Sequence, residues 1–399
     1  MVGAQARCAT AAADRVAQLP ALTSLRFFAA FAVLLLHYRD LLGPLPPLVL
    51  KAAIGGQYGV TFFFVLSGFI LTYNYHGWFA AGVEHAHYWR FQRLRLARIY
   101  PIYVVGLLLD TPWHLIERLR VGQLAESGHV FWASWLLNLV GLQAWVPGVP
   151  YAMFWNTPAW SVSAEFFFYA CFPFLCAMLA RRIGTLRGLL AMLVAVVALE
   201  TAAYAAVVHL LTFELKATGE TQYLVTVYNP LLRGSEFVAG CLVGLYFIRS
   251  RGLPAFFASS LWGSVGARNA VITTSLVLIA YRVMSPDYTG PSTQAWLIDV
   301  SLKYPFFILP FAALILAVAS GPTFLSRLLA VPWLVLLGEA SYSLYIIHWA
   351  GQTFLRLGFL GAWDTPAVHA VFLIATVAAS VVLYRTVEVP WRRRLRGSA

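Results

Sequence analysis

Charged side chains make up only 11% of this 399-residue chain, against about 25% in an ordinary soluble domain. That is too few to clothe a water-facing surface, which excludes a soluble enzyme and a disordered chain. Cysteine is scarce as well. Cys8, Cys171, Cys176 and Cys241 contain no CxxC spacing, and three of them lie in apolar runs. They read as core fillers, which excludes a disulfide framework and a cysteine metal site. Residues 1–20 have no apolar core of the kind a cleavable signal peptide needs, so none is expected. The chain also lacks GxGxxG, Walker A, HExxH and GxSxG, the signatures of dinucleotide, P-loop, zinc-peptidase and serine-hydrolase sites. Glu84, His85 and His87 cluster without a fourth ligand, and no metal site is read there.

Apolar residues, by contrast, make up 60% of the chain and aromatic residues 15%. Mean hydropathy is +0.74. This composition implies an all-α fold, a polytopic membrane helical bundle. Apolar runs fall near 22–38, 57–75, 99–110, 129–145, 160–180, 187–210, 229–248, 269–284, 301–319, 334–357 and 366–385. Basic residues outnumber acidic ones, 28 to 16, for a net charge of +12. Most lie between apolar runs, which suits cytoplasmic loops facing anionic lipid and gives no reason to invoke nucleic acid. Arg90, Arg93, Arg95 and Arg98 mark one connection; Arg181, Arg182 and Arg187 mark a second. Arg249, Arg251 and Arg268 mark a third, and the tail carries Arg392, Arg393, Arg394 and Arg396. Placing all of these and the N-terminus in the cytoplasm requires an even number of crossings. About ten transmembrane helices are expected, with 99–110 or 129–145 re-entrant or half-depth. An irregular, cavity-lining element is therefore expected between residues 99 and 160. The chain divides into a cytoplasmic segment over 1–20, one transmembrane domain over 21–391 and a basic cytoplasmic tail over 392–399.

A charge at bilayer depth costs about 2.5–3.5 kcal/mol on insertion scales, so each one needs a reason. Arg26 and His37 are eleven residues apart, almost three whole turns, and share one helix face about 16 Å apart. Either they are functional, or Arg26 snorkels to headgroups while His37 bonds a backbone carbonyl. Residues 59–69, GVTFFFVLSGF, set Ser67 and Gly68 among aromatics, where small residues let helices or a ligand chain approach closely. Arg95 and Arg98 share a face at the membrane edge, suited equally to phosphate and to anchoring. The run Trp160-Ser161-Val162-Ser163-Ala164-Glu165 puts an acid beside two hydroxyls inside an apolar segment. Arg233 and Glu236, three residues apart, read as a self-contained ion pair. The run Ser341-Tyr342-Ser343-Leu344-Tyr345-Ile346-Ile347-His348 ends in a second intramembrane histidine, and Glu388-Val389-Pro390 closes the last apolar run.

Taken in order, these motifs resemble the acyltransferase-3 family of integral membrane acyltransferases, many of which O-acetylate carbohydrates. The resemblance covers about residues 22–391 and rests on six motifs. They are Leu25-Arg26 with His37, the 59–69 segment, Arg95-x-x-Arg98-Ile-x-Pro101, Trp160-Ser-x-x-x-Glu165 with Tyr169 and Pro173, the 341–348 segment, and Glu388-x-Pro390. It implies an acyl-CoA donor, usually acetyl-CoA, taken from the cytoplasmic side, with no tightly bound cofactor. It implies functional roles for Arg26 and His37, His37 as general base, and Arg95 and Arg98 as residues that bind the donor's phosphates. Thr61 departs from the pattern, since many members carry an acid there. The chain resembles the stand-alone type, without a soluble domain after the last helix.

Acyl transfer to a hydroxyl needs that hydroxyl deprotonated as it attacks, and a positioned neutral histidine supplies this. His37 is expected to act directly, without an acyl-enzyme. Glu165, Ser161 or Ser163 orients the imidazole or the acceptor, and His348 is a partner or a proton relay. Ser67, Trp160, Ser161, Ser163 and Tyr342 are expected to line the substrate cavity. The expected partners are acyl-CoA, membrane lipids and a hydroxyl-bearing glycan, glycolipid or small molecule such as a macrolide. A transporter or lipid flippase is the rival from another class, though no internal repeat supports it. The expected location is a bacterial inner membrane.

Overall fold

In the computed structural model, residues 19–41, 45–122, 124–285, 301–356 and 365–396 are described. Cys8, nearly all of the 1–20 segment and residues 397–399 of the tail lie outside them. The described residues are 85% helical, with no strand among them. Helix α1 (Pro20–Tyr38) is followed by α2 (Pro47–Ile54), which runs through a 3-10 turn (Gly55–Tyr58) into α3 (Gly59–Phe79). Then come α4 (His85–Arg120), α5 (Leu124–Leu139), α6 (Trp160–Arg182), α7 (Leu186–His209) and α8 (Gly234–Arg251). The C-terminal half adds α9 (Val265–Met284), α10 (Pro305–Ser320), α11 (Pro332–Glu339) and α12 (Ser341–Arg356). Last are α13 (Pro366–Leu383), a π-turn (Tyr384–Glu388) and α14 (Val389–Arg396).

The helix starts follow from local chemistry. Proline occupies the first turn of α1, α2, α10, α11 and α13, where its missing N–H would have no partner anyway. Thr185, Ser264 and Thr365 cap α7, α9 and α13, each side-chain oxygen accepting from a first-turn N–H.

Among the described residues, six helices are long and apolar enough to cross a membrane: Pro20–Tyr38, Pro47–Phe79, His85–Arg120, Thr157–Arg182, Leu186–Glu214 and Pro366–Leu395. Pro305–Ser320 is a shorter apolar helix. The runs near 229–248, 269–284 and 334–357 lie on α8, α9 and α11–α12, which are helical for most of that length. Outward faces are apolar too. On α7, Val194 and Leu199 are 60% and 70% exposed, while Leu189, Leu193, Glu200, Tyr204 and Val208 turn inward. A helix that is apolar on the side away from its own protein suits lipid contact. Cys176 and Cys241 are buried as expected, but Cys171 faces outward on α6.

The structure changes the expected path between residues 99 and 160. The 99–110 run is the middle of α4, which at 36 residues is about 54 Å long. Arg90, Arg93, Arg95 and Arg98 thus sit on a helix and not in a connection, because α4 outruns the hydrocarbon thickness. The irregular stretch is confined to 140–159, with 3-10 turns at Gln143–Trp145 and Thr157–Ala159. Side chains satisfy its backbone: Asn138 Nδ2 donates to the Tyr151 carbonyl at 3.1 Å, and Gln143 Nε2 to that of Ala159 at 3.0 Å. The Asn156 N–H donates to Asp110 Oδ2 at 2.8 Å. Non-helical backbone at this depth is tolerated because protein groups replace water.

Close crossings decide which helices meet. Helices α3 and α8 pack backbone to backbone: a Cβ at Gly68 would collide with the Phe237 carbonyl, and one at Gly240 with that of Val65. Helix α12 lies against α1, α4 and α13, and α14 folds back onto α4. One buried apolar cluster runs through these helices from Ala21 to Leu355.

Candidate active site

Six helices line a partly open cavity of about 90 Å³. Helix α1 contributes Arg26, α3 Ser67, α4 Arg95, Arg98 and Ile99, and α11 Glu339. Helix α6 contributes Ser161, Val162, Glu165 and Tyr169; α12 contributes Ser341, Tyr342 and Tyr345. The α3 side is largely apolar, with Val60, Phe63, Phe64, Ile70 and Leu71 along it. No residue from 100–160 is on this wall; the irregular stretch packs behind it.

The cavity is cationic at one end. Arg95 is buried and donates from Nη2 to Tyr75 Oη at 2.8 Å, with its guanidinium 5.1 Å from the Tyr75 ring centroid. Its Nε has no hydrogen-bond partner. Arg26 and Arg98 make no hydrogen bond or ion pair among the described residues. The two cavity carboxylates are held by tyrosines and not by these arginines. Tyr169 Oη donates to Glu165 Oε2 at 2.8 Å, and Tyr384 Oη to Glu339 Oε2 at 2.6 Å. The arginine donors therefore remain available to an anionic ligand. Next to this end, Arg392 on α14 pairs with Glu388 at 2.6 Å, and Glu388 also accepts from Ser343 Oγ at 3.3 Å.

His37 does not line this cavity. It sits eleven residues further along α1, about 16 Å from Arg26, half-buried against α12. Its Nδ1 is 3.0 Å from Nε2 of the fully buried His348. The rings stack with centroids 5.1 Å apart, and Trp349 packs edge-on to His37 at 5.2 Å. Gln352 Nε2 donates to the His37 carbonyl, and Tyr38 Oη to that of His348 at 3.4 Å. His348 Nδ1 lies 3.3 Å from the Leu344 carbonyl, which can only accept. For two neutral rings the hydrogens are then assigned. His348 carries its proton on Nδ1, its Nε2 accepts from His37 Nδ1–H, and His37 Nε2 keeps a free lone pair. Tyr345 connects the two regions: it lines the cavity, and its ring is 6.0 Å from that of His348.

Ser67, Ser161 and Tyr342 line the cavity; Tyr342 Oη donates to the Ile99 carbonyl at 2.9 Å, tying α12 to α4. Trp160 and Ser163 lie behind the wall. Trp160 stacks on Tyr228 at 4.7 Å, and Ser163 is buried with its hydroxyl unpaired among the described residues. The reason is helical phase: Ser161, Val162, Glu165 and Tyr169 share one face, and Ser163 is about 200° from Ser161. Sequence reasoning also passed over Tyr345 and Glu339. Tyr345 carried a signal, one turn before His348 on the same helix; Glu339 carried none.

Thr61 has a specific setting. Arg233 holds Glu236 with two hydrogen bonds, from Nε to Oε2 at 3.1 Å and from Nη2 to Oε1 at 2.8 Å. Arg233 Nη2 also donates to Thr61 Oγ1 at 3.0 Å, and Thr61 Oγ1 to Glu236 Oε1 at 2.9 Å. The Tyr304 ring lies 4.2 Å from the guanidinium. The acid facing Arg233 thus comes from α8 and not from position 61.

The family model described as an acyltransferase domain, that of the acyltransferase-3 family, matches residues 19–385. The acyltransferase MdmB of Streptomyces mycarofaciens is 28% identical over 407 residues, covering 96% of this chain and 93% of that protein. The O-acetyltransferase OatA of Staphylococcus aureus is 24% identical over 392 residues, covering 94% of this chain but 57% of that protein. No solved structure matches the chain. A transporter or flippase is set aside by these matches. A match this long, on a bundle of apolar helices, assigns the chain to the acyltransferase-3 family as a multi-pass membrane O-acyltransferase.

Proposed function

We propose that the protein transfers an acyl group, acetyl first among them, from acyl-CoA to a hydroxyl of a carbohydrate or glycoconjugate, with His37 as general base. The observation that carries this reading is the cavity itself. Its cationic end offers Arg26 and Arg98, which make no hydrogen bond or ion pair among the described residues, and its far end reaches Tyr345, beside the histidine pair. A donor with phosphates on the arginines and its pantetheine arm along the apolar α3 wall would bring the thioester towards His348 and His37.

The acceptor hydroxyl gives its proton to His37 Nε2 as its oxygen bonds to the thioester carbonyl carbon. The tetrahedral intermediate collapses, the C–S bond breaks, and the departing sulfur takes the proton back from His37. His348 fixes the base tautomer through its hydrogen bond to His37 Nδ1. Glu165 holds the donor end through Tyr169 and is not the partner of His37. The positive-inside pattern supports donor entry, and both termini, on the cytoplasmic side of a bacterial inner membrane.

A second acceptor class is a small hydroxylated molecule such as a macrolide, which the test below separates from the first.

The test is transfer from labelled acetyl-CoA in membranes containing the protein, beside His37→Ala. Label is followed into polysaccharide, lipid and small-molecule fractions. His37-dependent label in polysaccharide or lipid supports the first acceptor class, and in the small-molecule fraction the second. Turnover retained in His37→Ala would overturn the base assignment. No transfer from any acyl-CoA by folded protein would overturn the donor.

A further inference from the structure

We propose that the hydroxyls of Tyr345 and Ser161 form the oxyanion-stabilising site of the acyl transfer, an inference that rests on the acyl-CoA reading above. As the acceptor attacks, negative charge develops on the thioester carbonyl oxygen, and donors already aimed at that point lower the barrier. Ser67 aside, the cavity's other donors are in the wrong place or already engaged. The arginines are at the opposite end, Tyr169 donates to Glu165, and Tyr342 donates to the Ile99 carbonyl. Ser341 is about 10 Å along α12 from His348.

Tyr345 and Ser161 are placed differently. Ser161 Oγ and Tyr345 Oη are 2.8 Å apart, and each is within hydrogen-bond reach of one acceptor, the Pro158 carbonyl, at 3.0 and 2.9 Å. This triangle holds two hydroxyl hydrogens and one carbonyl. One hydrogen satisfies the carbonyl; the other is spent between the hydroxyls. That second hydrogen can rotate towards an incoming anion without leaving the buried carbonyl unpaired, and the new charge-assisted bond is roughly twice as strong as the neutral one it replaces. The triangle also sits at the first turn of the 23-residue α6, where the helix dipole presents its positive end.

The hydroxyl pair also neighbours the base: the rings step 5.1 Å from His37 to His348 and 6.0 Å from His348 to Tyr345. Phe63, edge-on to Tyr345 at 5.9 Å, holds the phenol in place.

The experiment compares Tyr345→Phe and Ser161→Ala with wild type in acetyl transfer, and measures desulfo-CoA binding by each. Tyr345→Phe keeps the ring and its packing. Its kcat is expected to fall about 10²- to 10³-fold, with KM for acetyl-CoA and desulfo-CoA affinity within about threefold of wild type. Ser161→Ala is expected to lose about tenfold in kcat with the same split. A Tyr345→Phe kcat within twofold of wild type overturns the inference, as does a loss expressed in KM alone. Should Tyr345→Phe fail to bind desulfo-CoA, Ser161→Ala decides, and an unchanged kcat there overturns it. If wild type itself transfers nothing from acyl-CoA, the donor reading fails first, and that outcome is distinct from active wild type beside active Tyr345→Phe.

Discussion

His37 Nδ1 and His348 Nε2 lie 3.0 Å apart, and the Leu344 carbonyl at His348 Nδ1 fixes the direction of the hydrogen between them. A ring nitrogen that accepts is what the base needs behind it. His348→Phe keeps an aromatic ring but removes that acceptor. Its kcat is expected to fall tenfold or more while KM for the donor is unchanged, roughly the worth of one buried hydrogen bond. Steady-state turnover of the purified variant checks this; a KM effect alone would mean that His348 serves packing.

Arg26 and Arg98, on the cavity wall and without a hydrogen bond or ion pair among the described residues, lead to a test of donor binding that does not depend on the histidines. Arg98→Ala and Arg26→Ala are each expected to weaken acetyl-CoA binding about 10- to 100-fold, the range of a lost charge-assisted bond. The same variants should use S-acetyl-pantetheine, which carries no phosphate, as well as wild type does. Equal loss with both donors would place the arginines in folding or topology.

Arg233 and Glu236 form a buried pair that cannot lose one member cheaply. Glu236→Gln removes the carboxylate hydrogen-bonded to the guanidinium and is expected to cost about 3–5 kcal/mol, read as lower yield and thermal stability in detergent. Thr61 Oγ1 is 3.0 Å from Arg233 Nη2, so a carboxylate at position 61 reaches the same guanidinium. Adding Thr61→Asp to Glu236→Gln is expected to recover most of the loss. No recovery would mean that the geometry of Glu236, and not its charge, is what matters.

The α3–α8 crossing leaves no room for a side chain. Gly240→Leu is expected to abolish a monodisperse peak in size-exclusion chromatography, since its side chain would enter the α3 backbone. Gly77→Ala, with nothing within 4 Å of its added Cβ, is the control and is expected to behave as wild type. Two well-behaved variants would show that the crossing can open.

Much of the site was legible because one helix has a fixed period. Arg26 with His37, Arg95 with Arg98, and Arg233 with Glu236 are relationships along single helices, and the structure keeps each on the face its spacing implies. Serine and tryptophan positions in 160–165 were harder, because an unbroken apolar run does not reveal which face turns inward. Trp160 and Ser163 went behind the wall for that reason. The 99–110 run understates its helix because hydropathy stops where the basic turns of α4 begin, although the helix does not.

By itself, then, the sequence determined a membrane bundle, its helical faces and the residue types that acyl transfer needs, since apolar content and helical period are local properties. Only the tertiary structure decided that His37 meets His348, that Glu236 stands in for an acid at position 61, and that Tyr345 and Ser161 share one carbonyl. Those pairings join residues 175 to 311 positions apart in the chain. They depend on which helices can approach closely, and that is set by packing across the whole bundle.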